Sequence, residues 1–140
     1  MYLIDTHVIS EARKRNKAHP GVAAFFRQAA ELGDALYLSV VTVGELRRGV
    51  ELIRYRGDAP QAQLLEAWLG QLLDQFRDHI LDFDAQAAQV WGLLRVPNAA
   101  HEIDKQIAAI ALVNQLTVVT RNTADFAGTG VELLNPFLAA

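Results

Sequence analysis

Four acidic residues of this chain lie where strands and helices are predicted to meet. Asp5 directly follows a short apolar strand, and Glu45 lies early in the helix predicted after the second strand. Asp104 lies in the first turn or so of the helix before the fourth strand, and Asn122 and Asp125 follow that strand. In open α/β sheets, ligands gather beyond the carboxyl ends of the strands. The sequence therefore predicts that four carboxylates meet at one edge of a sheet.

Carboxylates that converge in this way need a compensating charge. Without it they repel one another, and one or more takes up a proton. A hard divalent cation, Mg²⁺ or Mn²⁺, removes the conflict because it prefers oxygen ligands and keeps some of its waters. Such an ion can bind a phosphate oxygen, lower the pKa of a water and stabilise the leaving oxygen. The chemistry best served is hydrolysis of a phosphodiester.

Helix capping offers a second interpretation of each polar residue. Asp5 could be the N-cap of a helix that starts at Thr6. Thr42 and Glu45 have the T-x-x-E spacing of a capping box, which satisfies two backbone N–H groups without catalysis. Asp104 is favoured near a helix N-terminus by the helix dipole, and the pair after the fourth strand could also cap. Caps alone do not require an acid at the same end of so many elements, and one carboxylate can cap a helix and bind a metal.

Short apolar runs of strand type alternate with longer segments of helical period. The predicted strands are 2–4, 36–40, 80–83, 116–120 and 131–134. Their continuous hydrophobicity suits strands that are covered on both faces. Strands separated by helices imply crossover connections and hence parallel pairing. The predicted fold is a three-layer α/β/α sandwich with a mostly parallel sheet of about five strands.

The helices between these strands are marked by caps and apolar stripes. Pro20 and Gly33 are expected to begin and end one helix, and Asp58 to cap a longer helix over 58–77. A further helix is expected to begin near Asp84 and to stop before Pro97. In the helix over 102–115, one shared apolar face is predicted. It comprises Ile103, Ile107, Ile110 and Ala111.

Length and composition narrow the classes of protein that need to be considered. The 140 residues predict one domain, 1–140, and a formal net charge of −3 gives no overall positive field. With no cysteine in the chain, disulfides, thiolate catalysis and Cys-ligated zinc are excluded. No apolar run reaches the roughly 18 residues that span a bilayer. We expect a cytoplasmic protein without a membrane partner.

Four segments in matching order and spacing resemble the PIN-domain ribonucleases, in particular the VapC-type toxins of toxin–antitoxin pairs. These segments are LIDTHVISE, SVVTVGELRRGV, DKQIAAIAL and VVTRNTADF. The resemblance runs from Tyr2 to about Pro136. It implies a parallel α/β/α sandwich, cleavage of RNA that depends on Mg²⁺ or Mn²⁺ and leaves a 5′ phosphate, and inhibition of growth. It also implies a homodimer and a small antitoxin whose tail covers the site.

The resemblance also assigns roles to individual residues. Asp5, Glu45 and Asp104 correspond to the three principal metal-binding acids of the family, and Asp125 to a fourth acid that is more variable in use. The supporting polar residues, which position the acids or touch metal-bound water, are Thr6 and Asn122. Family members more often carry Asn or Ser at the position of His7, and a neutral imidazole there can still form hydrogen bonds.

Two basic clusters are candidates for binding the RNA backbone, because each follows one of the acids in sequence. The candidate residues are Arg13, Lys14, Arg15, Arg47 and Arg48, with Lys17, Arg54, Tyr55 and Arg56 nearby. A solvated helix face explains both clusters about as well. The three other histidines, His19, His79 and His101, lack zinc-binding spacing, and a structural role is expected for them.

Rival interpretations fit the sequence less well. A haloacid-dehalogenase-type phosphatase needs D-x-D, and His7 stands where its second acid would be. A phospho-receiver domain would need paired acids and a late lysine at positions that do not match. P-loop and dinucleotide motifs are missing. The remaining alternative is a catalytically inactive PIN-like module that only binds RNA or a protein.

Overall fold

A sheet of five short strands forms the centre of the molecule. The computed structural model describes residues 1–138. The strands are β1 (Tyr2–Ile4), β2 (Leu36–Ser39), β3 (Ile80–Leu81), β4 (Thr117–Val119) and β5 (Leu133–Leu134). They lie in the order β3-β2-β1-β4-β5, and each neighbouring pair is parallel. The predicted parallel sheet is confirmed, and the crossover connections explain it.

Six α-helices connect the strands. They are α1 (Thr6–Ala12), α2 (Pro20–Leu32), α3 (Val40–Tyr55), α4 (Ala59–Gln75), α5 (Ala85–Leu94) and α6 (Glu102–Asn114). The predicted signals act where expected: Asp58 and Asp84 cap α4 and α5 through backbone N–H groups, and Gly33 ends α2 with φ of 70°. No helix within residues 1–138 has the length and apolar character needed to cross a bilayer.

Helices cover both faces of the sheet, as the three-layer prediction requires. Adjacent residues of a strand point to opposite faces, so Ile4 and Val119 pack against α1 to α4 while Leu3 and Val118 pack against α5 and α6. All four of these strand residues are fully buried. The central strands therefore serve two apolar cores at once, which explains their continuous hydrophobicity.

The start of α3 differs from the prediction. Strand β2 ends at Ser39 rather than at residue 40, because the Ser39 hydroxyl accepts the Thr42 backbone N–H at 3.0 Å and caps the helix. The expected capping box of Thr42 and Glu45 is therefore wrong. With the cap three residues earlier, Glu45 lies in the second turn of α3, and its carboxylate is not used in capping.

One residue of the predicted apolar face of α6 is also misplaced. Ile107, Ile110 and Ala111 are buried, but Ile103 is 41% exposed. Ile103 lies in the first turn of α6, where Glu102 is exposed as well. The buried apolar face therefore begins only after this turn.

The strand order identifies where a ligand site should lie. From β1 the chain moves outward through β2 to β3 on one side, whereas β4 and β5 lie on the other side of β1. The direction of winding therefore changes between β1 and β4, and ligands bind beyond the carboxyl ends of strands at such a point. Because α6 leads directly into β4, the amino end of α6 lies at this same edge.

Candidate metal centre

Asp5 is held at the carboxyl end of β1 by contacts to both of its oxygens. Oδ1 accepts the Thr6 backbone N–H at 2.8 Å, and Oδ2 accepts the Thr120 hydroxyl at 2.7 Å. The side chain is almost fully buried. The first contact is the predicted N-cap of α1, and the second ties the ends of β1 and β4 together. Asp5 is thus a rigid carboxylate whose remaining lone pairs can bind an ion.

Glu45 reaches the site from α3, whose first turn is fixed by a chain of hydroxyls. Ser39 and Thr42 are fully buried, and Ser39 Oγ donates to Thr42 Oγ1 at 3.3 Å. Thr6 Oγ1 donates to the same Thr42 oxygen at 3.3 Å and so links α1 to α3. Thr6, predicted to support the acids, therefore fixes the helix that carries Glu45 relative to the helix that Asp5 caps.

Asp104 and Asp125 both lie close to the imidazole of His101. Asp104 belongs to the first turn of α6, and Asp125 to a 3₁₀ helix, Thr123–Phe126, that follows β4. His101 Nδ1 is 3.9 Å from Asp104 Oδ2 and 3.7 Å from Asp125 Oδ1. One ligand atom of each of these three side chains lies within 4.8 Å of the other two.

The pKa of Asp104 responds to the other three acids. Burial, together with the negative charges of Asp5, Asp125 and Glu45, raises the pKa of Asp104 to about 6, although His101 lowers it. All three other predicted acids thus act on Asp104 through space. The structure brings together the four carboxylates that the sequence placed at strand and helix ends.

The chemistry of this donor set fits a hard divalent cation. Four carboxylates at one sheet edge provide the oxygen ligands that Mg²⁺ or Mn²⁺ prefers, and His101 offers a nitrogen beside two of them. Burial is the main cause of the raised pKa of Asp104, and repulsion from the neighbouring carboxylates adds to it. A cation would remove the repulsion.

A cavity beside the acids contains several of the remaining predicted residues. It has a volume of about 400 Å³, and its lining includes His7, Arg13, Lys14, Arg121 and Asn122. Asn122 is positioned through its backbone N–H, which donates to Thr120 Oγ1 at 3.0 Å. The same hydroxyl that donates to Asp5 therefore fixes the segment leading to Asp125. His7 faces this cavity and a smaller one that includes Glu45 in its lining.

The predicted phosphate-binding residues differ in their surroundings. Arg13 and Arg15 are both exposed, and both line a larger, mainly apolar cavity of about 680 Å³ formed with α2 and α4. Arg13 also lines the cavity that contains Asn122, and its Cζ lies 6.0 Å from the centroid of the Trp68 ring. Arg47 is engaged with Glu51 at 3.0 Å and Glu66 at 3.4 Å on the surface of α3 and α4.

The other two candidates also differ. Lys14 pairs with Glu11 at 2.9 Å, and Arg48 is exposed. Lys14 in the first basic cluster and Arg47 in the second therefore already have carboxylate partners on the protein, and Arg13 and Lys14 line the cavity that contains Asn122.

Three residues of the site were not singled out from the sequence. Thr120 binds Asp5, His101 lies between two acids, and Arg121 lines the same cavity as Arg13 and stacks over a phenyl ring. A signal existed for each: Thr120 and Arg121 directly follow β4, the strand next to β1, and His101 precedes Asp104 by three residues. The structural role expected for His101 stays a prediction; its side chain makes no capping hydrogen bond and its ring lies near two acids.

The sequence and fold of this chain are similar to those of known proteins. The sequence model of the PIN domain matches residues 2–131. Toxin FitB of Neisseria gonorrhoeae is 36% identical over 98% of this chain and 99% of FitB. VapC ribonuclease Y4jK of Sinorhizobium fredii is 30% identical over 98% of each chain. The crystal structure of FitAcB from Neisseria gonorrhoeae superposes with a TM-score of 0.84, at 36% identity, over 98% of this chain and 99% of that one.

Proposed function

This chain belongs to the PIN domain family, and on that premise we propose that it is an endoribonuclease toxin that hydrolyses RNA phosphodiester bonds and is neutralised by a cognate antitoxin. The relatives support this function, since one is named a toxin and another a VapC ribonuclease. The observation that carries the proposal is a set of acids at one sheet edge. Asp104 and Asp125 lie within 4.8 Å of each other and of His101, and the negative charges of Asp5 and Glu45 act on Asp104.

We propose that Asp5, Glu45, Asp104 and Asp125 hold Mg²⁺ or Mn²⁺. When bound, such an ion would supply stabilisation of phosphate charge and a water of lowered pKa. The chain itself holds the carboxylates in place. Asp5 is fixed through both oxygens, and Thr6 holds the helix of Glu45 relative to it. Because these side chains are oriented before substrate binds, little reorganisation is needed when charge develops on the phosphate.

The cations of the neighbouring cavity would position the RNA. Arg13 and Arg121 line it with Asn122, and guanidinium groups bind phosphate oxygens in a two-pronged geometry. Arg121 lies over the Phe137 ring with its Cζ 4.9 Å from the ring centroid, which fixes the direction of its side chain. The substrate backbone would therefore run past the acids along this cavity.

The resemblance further implies assembly with partners, and we propose these as well. The antitoxin would cover the acids, and the toxin would form a homodimer in the cytoplasm, where its RNA substrate is found. Leu93 and Val96, 75% and 77% exposed near the end of α5, are apolar side chains available for such a contact. Light scattering of the isolated chain measures the oligomeric state, and a monomeric mass at micromolar concentration would contradict the dimer.

The alternative function is a catalytically inactive module that binds RNA or protein. The gathered acids favour the nuclease, because a binding module has no need to keep four like charges together at a cost in stability. A metal-titrated assay on labelled RNA separates the two, since an inactive module would bind the RNA and leave it intact.

Replacement of Asp5 by Asn tests the proposed site. We expect Asp5→Asn to abolish RNA cleavage, because an amide lacks the charge that a divalent ion requires. The amide oxygen can still accept the Thr6 N–H, so the cost in folding stability should be about 1 kcal/mol. Cleavage is followed on gels with Mg²⁺ or Mn²⁺, and folding by circular dichroism.

Asp58→Asn is the matched control for this experiment. Asp58 also caps a helix through a carboxylate, accepting the Gln61 N–H at 3.2 Å, but it lies at the start of α4 and is exposed. It should keep full activity. Undiminished cleavage by folded Asp5→Asn protein would overturn the assignment of the site.

A further inference from the structure

His101 differs from two other histidines of the chain in having no structural task for its ring. His19 Nδ1 accepts the Gly21 N–H at 3.0 Å and caps α2, and His79 Nδ1 lies 2.9 Å from the Leu36 carbonyl oxygen. The expected structural role is confirmed for these two. His101 stands at the N-cap of α6, yet its side chain makes no capping hydrogen bond. Its ring is directed to the carboxylates of Asp104 and Asp125 instead.

We propose that His101 is itself a ligand of the divalent ion and gives the site one nitrogen donor. This inference rests on the proposed function, because it requires that the acids bind an ion. The distances of 3.7 Å and 3.9 Å from Nδ1 to the carboxylate oxygens exceed the reach of a good hydrogen bond. Two ligands of one small ion at about 2.1 Å each can lie up to about 4.2 Å apart. The observed spacing is that of ligands around a common centre.

The backbone at His101 has an unusual, left-handed conformation. Its φ of 57° and ψ of 48° lie in the left-handed region, which costs a non-glycine residue about 1 to 2 kcal/mol. Strain of this kind persists where the surrounding structure over-determines it, and it clusters at functional sites.

Three hydrogen bonds hold the turn around His101. The buried Lys105 ammonium donates to the Asn98 carbonyl, and the Lys105 backbone N–H donates to the His101 carbonyl at 2.9 Å. Trp91 Nε1 donates to the Glu102 carbonyl at 3.2 Å from the neighbouring helix. These contacts fix the backbone that carries His101, so its Cα and Cβ are held beside the acids before an ion binds.

A nitrogen ligand changes which ion the site prefers. Carboxylates suit Mg²⁺ and Mn²⁺ alike, whereas imidazole suits the transition metals and gains little with Mg²⁺. His101 therefore biases the site toward Mn²⁺. Removal of the imidazole should weaken Mn²⁺ binding by about tenfold and leave Mg²⁺ binding nearly unchanged.

Pulsed electron paramagnetic resonance of the Mn²⁺-loaded chain tests the coordination directly, without an activity measurement. A directly bound imidazole produces a ¹⁴N coupling to Mn²⁺. We expect this coupling in the unaltered protein and its loss in His101→Asn. Asparagine is the chosen replacement because it tolerates left-handed backbone, so the turn before α6 should be preserved. Circular dichroism verifies the fold of the variant.

His7→Asn is the matched control, since His7 is the other exposed histidine near the acids. It should retain the ¹⁴N coupling. Mn²⁺ binding without nitrogen coupling, or coupling that survives in His101→Asn, would overturn the role of His101 and leave the carboxylate site intact. Failure of the unaltered chain to bind either Mn²⁺ or Mg²⁺ would overturn the proposed metal-dependent function together with this inference.

Discussion

At the scale of single residues, the raised pKa of Asp104 shows how the neighbouring acids affect the stability of the fold. Burial and its three acidic neighbours raise its pKa to about 6, above the ordinary value of 3.8. A pKa that is higher in the folded chain stabilises the fold where the group is protonated. That contribution is complete below pH 3.8 and is lost as the pH rises through about 6. In the metal-free protein, ionised Asp104 therefore destabilises the fold at neutral pH.

We accordingly expect Asp104→Asn to stabilise the metal-free protein at pH 8 while abolishing cleavage. The amide removes a buried charge, and the gain in the free energy of unfolding should be about 1 to 3 kcal/mol. At pH 5, between the ordinary and the raised pKa, roughly half of this gain should remain, and it should vanish only below pH 3.8. Urea unfolding in EDTA at both pH values measures it.

Asp78→Asn removes a charge from an exposed position and serves as the control, with an expected change below about 0.5 kcal/mol. An Asp104→Asn protein that is less stable than the unaltered chain at pH 8 would show that the four acids do not repel one another as described.

At the scale of elements, the site depends on how α3 begins. Ser39 ends β2 and caps α3 in a single residue, and its hydroxyl also contacts Thr42, which binds Thr6 of α1. Three elements thus meet at two buried hydroxyls, one turn before Glu45. The direction of α3 at this point sets where the Glu45 carboxylate lies. The cap at Ser39 therefore affects the position of a proposed metal ligand.

Replacement of this cap should therefore affect activity more than a cap elsewhere. We expect Ser39→Ala to lower the free energy of unfolding by about 1 to 2 kcal/mol and to reduce the cleavage rate as well. Asp58→Ala removes the cap of α4 at a cost of about 1 kcal/mol and should leave the rate unchanged. Urea unfolding and initial rates on one RNA measure both effects. Equal rates for the two variants would mean that Glu45 does not depend on the α3 cap.

At the scale of the whole molecule, an acidic protein must attract an acidic substrate. The net charge is −3, so attraction to RNA has to come from a local surface rather than from the overall field. The cavity lined by Arg13 and Arg121 provides such a surface beside the acids. Arg47 and Arg54 are paired with Glu51 and Glu66, which leaves their charges largely compensated.

Salt dependence of RNA binding should distinguish these two groups of arginines. Each phosphate contact to a single strand contributes a slope of about 0.7 in a plot of log affinity against log salt. We expect Arg13→Gln to weaken binding and reduce the slope by about that amount, and Arg47→Gln to change it little. Fluorescence anisotropy on an Asp5→Asn background, which prevents cleavage, provides the measurement.

Arg56→Gln is the control for this comparison, because Arg56 lies at the far end of α3, about 16 Å along the helix axis from Glu45. An unchanged slope in Arg13→Gln would show that Arg13 does not contact an RNA phosphate and that the RNA does not pass along α1.

Much of this architecture could be predicted from local sequence because its causes are local. The run Tyr2–Ile4 is buried on both faces and reads as a strand, and the caps Asp58 and Asp84 start α4 and α5 where their oxygens meet free N–H groups. The same strand and helix boundaries place the four acids at strand and helix ends. Once parallel pairing is inferred, those ends must lie at the same edge of the sheet.

Only the tertiary structure decided the contacts between segments that are far apart in sequence. The sequence alone determined the alternation of strands and helices and the set of acids, because periodicity, caps and spacing act over a few residues. It could not reveal that Thr120 donates to Asp5, 115 positions away, nor that His101 faces Asp125 across the start of α6. Those contacts depend on strand order and on the left-handed turn at His101, which are fixed by packing of the whole chain.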